Sequence, residues 1–207
     1  MGRKVVVAVG LAALLSLVGC SVKPSPEIPR FAKSGGQTQA ELDARLAAIP
    51  GLVFTEASGS EPNLKRATGY QFKVDVEPGY EIADAPALVD FLVLSAWSVR
   101  DGYMPNTTID IGVNAGPLPS DKIDIVEAGE IAGWVPVGSQ AHRFGEDASS
   151  PEFDNGSSRV SVWIDIDTLS EKREKQRGTR ANRERLGDWP GDPVDPPAGM
   201  VVPTTTP

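Results

Sequence analysis

Tyr70-Gln71-Phe72-Lys73-Val74-Asp75-Val76-Glu77 alternates apolar and polar side chains without a break. Successive residues of a strand point to opposite sides of a sheet. Tyr70, Phe72, Val74 and Val76 should therefore share a buried face while Gln71, Lys73, Asp75 and Glu77 meet water. Pro78-Gly79 closes the run. The same period of two returns over 159–167, where Val160, Val162, Ile164 and Ile166 alternate with Ser161, Trp163, Asp165 and Asp167. It returns again over 107–113, with Ile109, Ile111 and Val113 inward and Asp110 outward. Residues 52–57 supply a fourth, less regular strand, followed by a polar loop over 58–69. On this pattern an acid at Val162 or Ile164 should unfold the domain, and one at Ser161 should be tolerated.

Helical signals lie between these strands. Thr38 and Glu41 make a capping box, and Leu42, Leu46 and Ile49 follow as one apolar stripe that Pro50-Gly51 ends. Asp84 can cap a helix over 85–100, with Pro86 tolerated in its first turn. Leu88, Phe91, Leu92, Ser95 and Val99 share one side of it. The stretch 121–137 is ambiguous, because Ile123, Val126 and Ile131 allow a short helix that Gly129 and Gly133 weaken. The order helix, strand, strand, helix, strand, weak helix, strand predicts an α+β fold. We expect a mainly antiparallel four-stranded sheet with helices on one face. That is the order of a ferredoxin-like plait whose first strand has moved to the end, a likeness of pattern that carries no function.

The globular domain is expected over 37–167. Beyond it, residues 168–187 offer only Leu169 and Leu186 as sizeable apolar groups, and Lys172 to Arg185 hold seven basic side chains. This reads as a solvated charged segment. Residues 188–207 are proline-rich and read as a disordered tail. The chain as a whole holds 28 Asp and Glu against 20 Lys and Arg. Such an acidic body argues against nucleic acid as a partner, and against spreading on anionic lipid through the body of the domain.

At the other end, Arg3 and Lys4 precede fourteen residues, Val5 to Val18, that are apolar apart from Ser16. A membrane-spanning helix needs about twenty. The run fits the apolar core of a secretory signal peptide, and it ends in Leu17-Val18-Gly19-Cys20. This combination resembles the lipobox-type signal peptide of bacterial lipoproteins. The resemblance covers residues 1–20 and implies cleavage after Gly19, with a thioether-linked diacylglycerol on Cys20. The protein would then be lipid-anchored to the cell membrane on its extracytoplasmic side, and two acyl chains suffice for a stable anchor. Loss of Arg3 and Lys4 would leave 18 basic against 28 acidic residues, a net charge of −10. Residues 20–36 read as the lipidated cysteine and a flexible tether. Cys20 is the only cysteine, which excludes an intramolecular disulfide and a CxxC redox or zinc site.

The chemical inventory is thin. His142 is the only histidine, set in a polar loop, and no serine lies in a G-x-S-x-G elbow. No metal site and no cofactor-binding motif can be read, and no catalytic residue is assigned. Carboxylates are plentiful. If helices cover one face of the sheet, Asp75, Asp110, Trp163 and Asp165 lie on the other with Gln71 and Lys73. An indole among carboxylates there could stack on a sugar ring or a cation. Alternatively that face is merely solvated, or it is covered by the 121–156 region. Two classes of function follow. One is a non-enzymatic binding or interaction module of the cell envelope, with a cell-wall polymer or an envelope protein as partner. The other is a glycan-acting envelope enzyme that uses a pair of carboxylates.

Overall fold

A computed structural model describes residues 27–115, 123–138, 157–164 and 178–204. Helix α1 (Gln39–Ala47) begins at the predicted box. The Thr38 hydroxyl accepts from the Glu41 N–H at 3.2 Å, and the Glu41 carboxylate accepts from the Thr38 N–H at 2.7 Å. That backbone donor holds the Glu41 carboxyl below its ordinary range.

Strands β1 (Leu52–Gly59) and β2 (Gly69–Val76) form an antiparallel hairpin. A short β3 (Tyr80–Ile82) leads into helix α2 (Ala85–Ser98), which Asp84 caps by accepting from the Ala87 N–H at 3.0 Å. Strand β4 (Thr108–Asn114) then runs parallel to β2, and β5 (Ser157–Trp163) pairs with β4 antiparallel. The result is an α+β fold around a mixed four-stranded sheet of order β1-β2-β4-β5. The expectation of a mainly antiparallel sheet is corrected at its centre by the parallel β2–β4 pair. A permuted plait would have placed the last strand between β2 and β4, whereas β5 lies at the edge. The physical reason is that alternation specifies which face a strand buries, not its neighbour. Helix α2 is long enough to carry the chain back for a parallel return.

The predicted inward residues form the core. Tyr70, Phe72 and Val74, Ile109, Ile111 and Val113, and Val160, Val162 and Ile164 are all buried. They pack in one cluster with Leu42 and Leu46 of α1 and Leu88 and Leu92 of α2. Tyr70 also donates its hydroxyl to Gln39 Oε1 at 2.8 Å, and burial pushes its phenol pKa up. Helix α2 is buried on more than its predicted side, since Val89, Val93 and Trp97 are covered as well. A helix apolar all round needs partners all round, and the other partners come from later in the chain.

The first is α3 (Ile125–Ile131), capped by Asp124, whose carboxylate accepts from the N–H groups of Val126 and Glu127. Gly129 is not a defect in it. A Cβ there would meet Val135 at 3.1 Å and Val160 at 3.2 Å, so glycine lets the helix approach β5. The second is the C-terminal segment, where the sequence expectation fails. Residues 179–186 form helix α4 (Thr179–Leu186), and residues 201–203 form β6 (Val201–Pro203), antiparallel to β3. Leu186 and Met200 are part of the buried core. The Trp97 indole donates to the Asp188 carbonyl at 3.2 Å, and Arg183 stacks on the same ring. Burial lowers the Arg183 pKa. So the charged segment is packed from 178 on, and the proline-rich stretch is ordered through residue 204.

The tether expectation is corrected too. Ile28 is buried, the Met104 N–H donates to the Pro29 carbonyl at 2.9 Å, and the Ala32 N–H donates to Arg100 at 2.9 Å. Among the described residues, packing against the domain thus includes Ile28 and is not confined to 37 onward.

Candidate binding surface

The pairing register lays out the sheet's polar face in rows across β2, β4 and β5. Gly69, Thr108 and Trp163 form one end row, and Gln71, Asp110 and Ser161 the next. Lys73, Gly112 and Arg159 follow, and Asp75, Asn114 and Ser157 close the series. The sequence-predicted Asp75, Asp110 and Trp163 therefore do lie on one face. Asp110 and Trp163 are in adjacent rows, but Asp75 is four residues along β4's register, about 13 Å away at strand rise. They do not converge on one ligand-sized spot. Asp165, Cys20 and His142 lie outside the described residues.

Asp110 is the centre of a hydroxyl network. Thr108 Oγ1 donates to Oδ2 at 3.0 Å, and Ser161 Oγ donates to Oδ1. Ser161 is buried. The expected tolerance of an acid at Ser161 is thereby overturned, because a carboxylate there would face Asp110 across a row. Lys73 Nζ sits 2.7 Å from Glu56 Oε2, and Asn114 Nδ2 donates to Asp75 Oδ1 at 3.1 Å. Glu56 reaches this face only because the β1–β2 register shifts between Phe54 and Glu56. Phe54 opposes Val74 on the core side, and one inserted residue turns Glu56 outward to Lys73. Gly112 carries no side chain between Lys73 and Arg159, and a Cβ there would meet only Phe72's carbonyl oxygen at 3.7 Å.

Where the face meets the β1–β2 loop, a groove of about 280 Å³ opens, lined by Glu56, Ser58, Asn63, Thr68, Gln71, Thr108 and Asp110 among others. The loop that walls it is built, not slack. Asn63 Oδ1 accepts from the N–H groups of Lys65 and Ala67 at 2.8 and 3.0 Å. Asn106 accepts from the Thr68 N–H at 2.9 Å and donates to the Arg66 carbonyl at 3.0 Å. Thr68, itself buried, donates to the Met104 carbonyl at 2.7 Å. The polar-loop reading of 58–69 gives Asn63 and Thr68 no role, and Asn106 stands out in the sequence only as the start of the sequon Asn106-Thr107-Thr108. Pro62-Asn63 is the one local turn signal that could have drawn attention to them.

Chemically, the groove offers hydroxyls, amides and two carboxylates, each carboxylate already engaged by a protein partner. Among the described residues no group of three or more His, Cys, Asp or Glu is placed to hold a metal ion. No helix among them is long and apolar enough to cross a membrane. The fold and this surface define an α+β domain with a polar sheet-face groove. No family model, curated protein or solved structure matches the chain.

Proposed function

We propose that the protein is a membrane-anchored extracytoplasmic lipoprotein, held by diacylglycerol on Cys20, whose folded part is a non-enzymatic binding or interaction module of the cell envelope. The groove walled by the 60–68 loop carries this reading. Its hydroxyl and amide lining suits a polar, uncharged partner such as a cell-wall glycan, and Trp163 stands in the neighbouring row, close enough to report on binding. An envelope protein could use the same donors and acceptors. The acidic body speaks against nucleic acid. The likeness to a permuted ferredoxin-like plait stays one of element order and lends this reading no support. A second reading, a glycan-acting enzyme, is favoured by one observation: two carboxylates, Glu56 and Asp110, line the same groove.

The full-length chain in detergent micelles, titrated with cell-wall glycan fragments, separates the two. The binding reading expects a tryptophan fluorescence change that disappears in Trp163→Phe and weakens in Gln71→Ala, with the fragments recovered intact. Fragment cleavage that is lost in Asp110→Asn would establish the enzyme instead. No Trp163-dependent change with any fragment would remove the glycan from the proposal.

A further inference from the structure

Two largely exposed loops meet beside the first described residues of the domain. One holds residues 28–33, the other 60–67. Arg30 joins them, since its guanidinium lies over the rings of Phe31 and Tyr103 at 4.3 and 4.4 Å and stands 3.9 Å from Glu61. The two loops expose large apolar side chains, Leu64 fully and Phe31 by 54%. Left-handed φ angles occur among the described residues at two non-glycine positions, Phe31 (54°) and Arg66 (60°), one on each loop. Such backbone costs free energy and persists only where the surroundings impose it. Here the Asn63 and Asn106 hydrogen bonds impose it on the second loop. The outcome is a stiff tip that holds Leu64 in water.

The charge of these loops departs from that of the rest. Arg30, Lys33, Lys65 and Arg66 outnumber Glu27 and Glu61 in a chain with a net charge of −8. An apolar tip beside exposed lysines matches an anionic bilayer surface, where the apolar group enters the interface and cations meet the headgroups. Position agrees with this. Seven residues separate Cys20 from Ile28, and eight chain steps reach at most about 28 Å. A lipid on Cys20 would keep this end of the domain near the membrane.

We propose that Leu64, Lys65 and Phe31 seat on the anionic bilayer that holds the Cys20 lipid, orienting the domain and keeping the groove walled by the same loop close to the lipid surface. This rests on the reading of Cys20 as lipidated. Seating confines the groove to partners at the membrane face, so the loop sets where a ligand can be met as well as what is met.

The test uses the full lipidated chain, purified from a bacterial host and placed in vesicles of phosphatidylcholine alone or mixed with phosphatidylglycerol. An environment-sensitive fluorophore is attached to a Leu64→Cys variant, the native thiol being consumed by the lipid. The control label goes on Ile131→Cys, an exposed site on α3, which packs against α2 and β5 away from the hairpin. Nitroxide lipids should quench the label at 64 in phosphatidylglycerol vesicles, much less in phosphatidylcholine, and leave the label at 131 bright. Adding Lys65→Gln should cut the ratio of seated to unseated domain about fivefold, the effect of one cation near an anionic surface. Equal quenching at 64 and 131, or quenching indifferent to both lipid charge and Lys65, would overturn the proposal. The mass of the purified chain keeps the two readings apart. A chain that carries no diacylglycerol on Cys20 loses the anchor and the seat together, whereas a lipidated chain with residue 64 in water loses the seat alone.

Discussion

The four-stranded sheet and the C-terminal arm from Gly178 to Thr204 are both ordered, and they are ordered by different physics. In the sheet, three neighbouring strands each bury alternate apolar residues, so Phe72, Ile111 and Val160 lie side by side beneath α1 and α2. Burial of apolar area carries most of that stability. Of the arm's apolar side chains only Leu186 and Met200 are buried in the core. Directional polar contacts hold the rest of it. Asn182 Nδ2 donates to the carbonyls of Trp134 and Trp163, both at 2.9 Å. Arg185 stacks on Trp134 at 3.9 Å and pairs with Asp90, which also accepts from the Trp134 indole. A polar segment thus folds when it supplies the hydrogen-bond partners that buried groups lack. Trp97 and Trp134 are the largest fully buried side chains, and each owes part of its cover to the arm.

Three substitutions test this contrast. Val162→Asp places an unpaired charge in the sheet core and should cost more than about 4 kcal/mol, enough to unfold the domain. A folded, near-normal variant in urea would mean that the shared core is misassigned. Asn182→Ala acts on the arm, where it leaves two buried carbonyls without their donor and should cost about 2–3 kcal/mol. Native-state hydrogen exchange should show the loss first at the amides of α4 and β6, with the sheet still protected. Uniform loss across the sheet would mean that arm and sheet unfold as one unit. Arg185→Ala removes a stacking cation and a half-exposed ion pair, and it should cost about 1 kcal/mol. Part of that effect should vanish in molar salt, as a screened surface pair requires. The salt-independent remainder measures the ring contact.

Much of the sheet was legible because alternation is a local property. The alternating residues of 70–76, 109–113 and 160–164 face as their period says, and Thr38 caps α1 as its spacing to Glu41 says. The candidate site was legible only in part. The polar face could be enumerated strand by strand, which placed Asp75, Asp110 and Trp163 together on it. Their separation along the face depends on register, and register depends on which strands are neighbours. The inserted residue in β1 shows the limit well. Leu52 and Phe54 are followed by Ala57 on the inner face, and this broken spacing was in plain view but has no meaning until Lys73 is seen opposite Glu56.

The four strands of the main sheet, their inner faces and the capped starts of α1 and α2 are fixed by residues a few positions apart and can be read from the sequence, whereas β3 and β6 cannot. Tertiary structure alone decided the parallel return of β4 onto β2, the saturation of Asp110 by Thr108 and Ser161, and the folding of the polar C-terminal arm. Those outcomes depend on contacts across tens of residues, such as Ser161 with Asp110 or Asn182 with Trp134. A hydroxyl or amide binds whatever partner the fold brings within about 3 Å, and composition does not record which partner that will be.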